Sequence, residues 1–285
     1  MIDTMIRRKI SLCVATSFLT VAAGCAAPTE TNAPSQASAS HSLVDAAGAD
    51  VARYNVEIVD THPFDATSFT QGLEVDGDRL LVSTGWNGES RVYHSSISGE
   101  QQHSQSIPAE QFGEGVTRVG DTVWQLTWKA GVAYKRDAET LEQQAEVTYP
   151  GEGWGLCSFP DVVVMSDGTD ELRLIDPETF AERSRIPVTV GGSKAQSLNE
   201  LDCTTDESGN RIVYSNVFLS TDIYRISLDT GDVTGIIDAS TVPNRAAADS
   251  NNVLNGIASI PGTDRLYLTG KRWPDLYEVQ FVPTR

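Results

Sequence analysis

Basic side chains are scarce in this chain. Lys and Arg number 21 against 39 Asp and Glu, a formal net charge of −18 over 285 residues. That balance excludes nucleic acid as a partner, because phosphate contact needs a basic surface. Cysteine and histidine are scarce as well, at four each. Aromatic residues make up only 7%, so any place where they gather is informative. No segment sustains a 3.6-residue apolar period, which argues against helix. The apolar run Ile10–Ala23 falls short of the ~20 residues that a membrane-spanning helix needs.

That run reads instead as a leader. Arg7, Arg8 and Lys9 precede it, and Ala22-Ala23-Gly24-Cys25 follows. Small residues ahead of a cysteine resemble a bacterial lipobox, with Cys25 the lipidated residue; ordinary signal cleavage is the alternative. Residues 1–25 are therefore expected to be a lipoprotein-type signal peptide. Residues 26–50, rich in Ala, Ser, Thr and Pro, read as a flexible tether. Residues 51–285 form the folded domain, extracytoplasmic and held to the membrane by the lipid alone. With Cys13 in the leader, Cys157 and Cys203 remain. They stand three and four residues into their repeats, on opposite strand faces, which weighs against a bond between them.

What the chain does have is a repeat. A polar or aromatic residue, usually a glycine, and an aliphatic residue recur five times: Gln71-Gly72-Leu73, Glu114-Gly115-Val116, Trp154-Gly155-Leu156, Asn199-Glu200-Leu201 and Asn255-Gly256-Ile257. The copies lie roughly 40–56 residues apart, a period of stacked or radial arrays. Each is followed by a short β-rich run: Leu80–Gly85, Thr122–Trp128, Val162–Gly168, Arg211–Phe218 and Arg265–Trp273. A third strand follows each (Arg91–Ile97, Val132–Arg136, Glu171–Ile175, Asp222–Ser227, Asp275–Val282), then a turn such as Asp137-Ala138-Glu139-Thr140 or Asp176-Pro177-Glu178-Thr179. A fourth closes most units, as in Glu146–Tyr149, Arg185–Val190 and Val233–Ile237. The expected fold is all-β: a five-bladed β-propeller with four-stranded blades. The last unit lacks a fourth strand, which Tyr54–Asp60 supplies to close the ring. A β-sandwich or open barrel is the alternative.

In such a ring two sets of residues converge at one end of the channel. One is Phe69, Gln71, Phe112, Glu114, Trp154, Asn199 and Asn255. The other is Trp86, Trp128, Lys129, Asp167, Asn216, Phe218, Lys271 and Trp273. Four of the five tryptophans fall there, as befits a binding wall. None of His41, His62, His94 and His103 does, which argues against a His-based zinc site or a Ser-His-Asp triad at that end. What remains is a carboxylate among aromatics (Glu114), a cation (Lys271) and amides (Gln71, Asn199). A desolvated carboxyl fits proton transfer, and the amides and Lys271 fit an oxyanion.

At these residues the chain resembles the plant- and bacterial-type glutaminyl cyclases. Ser68-Phe69-Thr70-Gln71-Gly72-Leu73, Phe112-Gly113-Glu114-Gly115, Gly153-Trp154-Gly155-Leu156, Leu198-Asn199-Glu200-Leu201 and Gly270-Lys271-Arg272-Trp273-Pro274 match that family's motifs in order. The match runs from about Tyr54 to Val282. The resemblance implies cyclisation of an N-terminal glutamine, in a peptide or as free glutamine, to pyroglutamate with loss of ammonia. It implies Glu114, Asn199 and Lys271 as catalytic groups, and Phe69, Gln71, Phe112, Trp128, Trp154 and Phe218 as the substrate box. It implies a monomer whose chemistry needs no metal or other cofactor, and leaves room for a structural cation in the channel. Three positions depart from the family: Phe218 for a usual Trp, Val82 for a usual Glu, and Phe64 for a usual His. Two other readings stay open: a metal-dependent propeller lactonase, and a tethered propeller that only binds.

Overall fold

The computed structural model describes residues 51–284. The leader, Cys25 and the tether lie outside the described residues. Within them every regular element is a strand. The first is β1 (Ala52–Pro63), followed by a unit of β2 (Thr70–Asp76), β3 (Arg79–Thr84), β4 (Arg91–Ser95) and β5 (Gln101–Ser106). The second unit is β6 (Gly113–Val119), β7 (Thr122–Thr127), β8 (Val132–Asp137) and β9 (Gln143–Thr148). The third is β10 (Leu156–Phe159), β11 (Val162–Met165), β12 (Glu171–Ile175) and β13 (Glu182–Pro187), trailed by a small hairpin, β14 (Thr189–Val190) and β15 (Ser193–Lys194). The fourth is β16 (Leu198–Thr205), β17 (Arg211–Val217), β18 (Asp222–Ser227) and β19 (Val233–Asp238); β20 (Leu254–Ser259), β21 (Arg265–Gly270) and β22 (Asp275–Pro283) come last.

Each unit is an antiparallel meander, and burial falls along it. The first strands are mostly buried, while β5, β9 and β13 are largely exposed. β5 reads Gln-Gln-His-Ser-Gln-Ser, which explains why no hydrophobic signal announces it. The expected strand Arg185–Val190 is divided: β13 stops at Pro187 and the hairpin takes over. β1 runs antiparallel to β22, with Asn55 opposite Val282 and Pro63 opposite Asp275. Its first residues, Ala52–Asn55, also pair in parallel with β19. The N-terminal strand thus takes the expected fourth place and joins two units into one eight-stranded sheet.

The core lies between units rather than inside them. Leu81 and Val92 pack on Val116 and Val123, and Trp124 and Leu126 pack on Val163 and Met165. Val164 and Leu172 meet Leu201 and Val213, Ile223 and Ile237 meet Ile257 and Leu268, and Ala258 and Leu276 meet Leu73 and Val82. The first strands also touch in succession: β2 with β6 and β20, β6 with β10, β10 with β16, and β16 with β20. This is a propeller-like, all-β arrangement of sheets stacked face to face.

Cys157 and Cys203 are joined in a disulfide, with Cα atoms 5.4 Å apart. This corrects the expectation against it. Opposite faces forbid a bond between neighbours in one sheet, but these strands belong to successive sheets. The facing sides of two stacked sheets are opposite faces of equivalent strands, so β10 and β16 present their cysteines to one another.

Candidate active site

Four of the five motif copies sit on a backbone irregularity. Ladder register shifts between Thr70 and Gly72, between Gly113 and Val116, between Leu198 and Leu201, and between Leu254 and Ile257. A bulge re-aims side chains out of the pleat, and here it turns the leading residue toward the centre. The glycines make this close convergence feasible. A Cβ on Gly72 would stand 2.7 Å from Val116 N, one on Gly115 2.5 Å from Leu156 N, and one on Gly155 2.1 Å from Asn199 O. Only Asn199-Glu200-Leu201 has a larger residue there. Its Glu200 carboxylate accepts Leu73 N at 3.1 Å and Ile257 N at 3.0 Å, tying three first strands together.

Glu114 lies at the head of a polar chain. Asn255 Nδ2 donates to Gln71 Oε1 at 2.9 Å and to Thr70 O at 3.0 Å, and Gln71 Nε2 donates to Glu114 Oε1 at 3.0 Å. All three side chains are buried. Burial drives the Glu114 carboxyl well above the usual carboxylate range; Lys271 and Gln71 pull it down, and the Glu152 charge pushes it up. Burial draws the Lys271 ammonium below its usual value, against the pull of Glu114. Burial thus favours the neutral form of each group, while their mutual attraction favours the charged pair. The buried Asn199 carboxamide makes no hydrogen bond to the described residues, so its donors are free.

An aromatic wall surrounds this group. Phe69 lies 6.0 Å from Phe112 and 5.1 Å from Trp86, Phe112 lies 5.8 Å from Trp128, and Trp154 lies 5.3 Å from Phe218, ring centre to ring centre. Lys271 Nζ bridges the gap between Phe218 and Phe69, at 5.1 and 5.0 Å from their centroids. Glu152 bridges the other, taking the indole N–H of Trp128 at 2.7 Å and of Trp154 at 3.1 Å. Trp86 and Phe218, 40% and 36% exposed, form the rim.

Phe69, Phe112, Trp128, Trp154, Phe218 and Lys271 are therefore linked into one wall, with Glu152 joining the two indoles, while Gln71 is hydrogen-bonded to Glu114 and Glu114 is coupled to Lys271 by charge. Trp273 is not part of the wall: it is buried, donates to Asn252 O and packs on Tyr277. Asn216 Oδ1 accepts Gly256 N at 3.0 Å while its Nδ2 is buried without a partner among the described residues, and Asp167 Oδ1 accepts the backbone N–H and hydroxyl of Thr169. Asn255, the motif copy hardest to assign from sequence, orients Gln71. Val82 and Phe64 lie in the core with Leu73 and Tyr93, so two of the three departures do not touch the site. Sequence reasoning missed Glu152. The signal was there: a carboxylate flanked by Gly151 and Gly153, two residues before the motif tryptophan.

Fold and site together define a class: a propeller-like, all-β protein with a protonatable carboxyl in a central aromatic box. A family model described as glutamine cyclotransferase matches residues 22–281. The chain is 32% identical over 231 residues to the glutaminyl-peptide cyclotransferase of Arabidopsis thaliana, covering 79% of this chain and 71% of the plant protein. It superposes on the crystal structure of Myxococcus xanthus glutaminyl cyclase with a TM-score of 0.73 and 31% identity, over 82% of this chain and 100% of that one. The chain belongs to the glutamine cyclotransferase family.

Proposed function

We propose that the aromatic box receives an N-terminal glutamine and that Glu114 carries the proton for its cyclisation. The overall activity is that of a glutaminyl-peptide cyclotransferase. In the reaction the α-nitrogen attacks the side-chain amide carbon, a five-membered ring forms, and ammonia leaves. One proton must travel from the attacking to the leaving nitrogen. A peptide α-amine has a pKa of about 7.7–8.0, and a carboxyl whose pKa burial has raised takes its proton at less cost than an ordinary carboxylate does. Glu114 Oε1 is occupied by Gln71, so the mobile proton belongs on Oε2. Lys271 and the unpartnered Asn199 amide are the donors for the developing oxyanion. The wall excludes water and folds the side chain back on the amine.

The Asn255–Gln71–Glu114 chain carries this reading, because it fixes one oxygen of a buried carboxyl and leaves the other for chemistry. Glu114→Gln should lower ammonia release from an N-terminal glutaminyl peptide by about 10²-fold or more, with an unchanged circular-dichroism melt. Full turnover in that variant would sink the assignment. The chemistry needs no metal, so chelation should leave turnover intact; a lactonase would lose its activity.

The same proposal takes the sheets as five blades around the site, with β1 closing the ring. The unit-to-unit core clusters and the β1–β22 pairing support it. For residues 1–50 we propose the leader, the Cys25 lipid anchor and the tether, and with them an extracytoplasmic monomer. Cys25→Ser should move the protein from the membrane fraction to the soluble fraction.

A further inference from the structure

On a different sheet from Glu114, three side chains meet at the seam where β1 joins β22. Asp60 stands directly opposite Glu278 in the β1–β22 ladder, and His62 lies two residues on, on the same face. Like charges directly opposite are destabilising in a sheet. Arg265 neutralises Glu278 from one side, and Asp60 has no such cation among its ion pairs with the described residues.

Each carboxylate has one oxygen committed elsewhere and one left over. Asp60 Oδ1 accepts Thr61 N at 2.7 Å, and Glu278 Oε1 accepts Arg265 Nη1 at 2.6 Å. His62 Nε2 is buried and has no hydrogen-bond partner. The remaining oxygens face it: Glu278 Oε2 at 3.6 Å and Asp60 Oδ2 at 4.0 Å. Both distances are too long for hydrogen bonds. They suit an ion held between the groups. Zinc binds nitrogen and carboxylate oxygen at about 2.0–2.2 Å, so two ligands of one ion lie roughly 3.4–4 Å apart at tetrahedral or wider angles. All three atoms lie within 4.8 Å of one another. The Tyr267 ring meets the imidazole edge-on at 6.0 Å and covers one side. The Asp60 side chain, 64% exposed, leaves an entry path and the freedom to close the last few tenths of an ångström.

We propose that Asp60, His62 and Glu278 form a site for a zinc-like divalent ion that fastens β1 to β22. One imidazole and two carboxylates favour zinc over calcium or magnesium, which prefer all-oxygen shells. Three protein ligands leave a fourth position for water. The site differs from the catalytic centre in place and in task.

The test uses the purified full chain, stripped with EDTA and dialysed. Zn2+ titrated calorimetrically should bind with one equivalent, raise the melting temperature by mass action, and outcompete Ca2+. His62→Gln and Glu278→Gln should each weaken Zn2+ binding about tenfold or more. Zinc uptake unchanged in both variants, or no uptake by the parent chain, overturns the proposal. Should either variant fail to fold, Co2+ added to the parent chain decides. The intense visible bands of a four-coordinate ion support the site, and the pale spectrum of aqueous Co2+ refutes it.

Discussion

Glu152 shows how a single residue can act on the chemistry from the wall. Its carboxylate holds the indoles of Trp128 and Trp154 and lies 3.7 Å from Lys129 Nζ. Its charge also helps to raise Glu114, after burial. The two effects separate by substitution. Glu152→Gln keeps an acceptor for the indoles and removes the charge. The kcat/KM limb that reports Glu114 should therefore move to lower pH, with KM little changed. Glu152→Ala removes the acceptor as well; it should raise KM several-fold and shift tryptophan fluorescence. A pH profile identical to the parent in Glu152→Gln would refute the electrostatic role. Glu114 itself was legible in the sequence because it varied a repeat. Glu152 left only a local trace, a carboxylate between two glycines, because it lies outside the repeat and acts through two residues that were already recognised.

At the scale of the strand, the motif glycines decide how closely the first strands approach. Gly115→Ala would push a methyl group against the backbone of Leu156 and the carbonyl of Trp154, neither of which can swing away. Overpacking of this kind costs about 1–3 kcal/mol, and it would displace Glu114, the neighbouring residue. The expected outcome is a lower denaturation midpoint together with reduced kcat; a stable variant with full turnover would show that the convergence tolerates slack. The strands themselves were legible where valine, leucine and aromatics alternate, as in β7 and β17. β5 was not, because an outer strand that faces water has no reason to be apolar. Nor was the role of Asn255, since its partners Thr70 and Gln71 lie at the far end of the domain sequence. The disulfide was misjudged for a related reason: strand-face parity was applied within a sheet, whereas the bond crosses between two.

For the molecule as a whole, buried acids set the pH dependence of stability. Burial pushes Glu74 up to about 7 and Asp202 up to about 6, against hydrogen bonds from Thr117 and Ser259. Their folded values exceed the unfolded ones, so the folded state holds more protons through this range. Their stabilising contribution is full below pH 4, and is lost as pH rises through about 6 and 7. Asp76 works the other way. Burial opposes it, but His94, Arg79 and Arg118 hold it down to about 2, so its contribution is lost as pH falls toward that value. The melting temperature should therefore be higher near pH 5 than at pH 8, and Glu74→Gln should flatten that slope. A melting temperature that climbs steadily to pH 8 would contradict the assignment. Reduction of Cys157–Cys203, which spans 46 residues, should cost about 2–4 kcal/mol at any of these pH values.

The pairing of Asn55 with Val282 has a consequence for how the protein is made. The first and last described strands are neighbours, so β1 has no antiparallel partner until β22 has been made. Everything upstream waits as a row of sheets with one face uncovered, exposed to sticking and to proteases. Biogenesis is thus timed by β22: a chain truncated before it yields not a slightly shorter enzyme but a β1 strand left without its antiparallel neighbour.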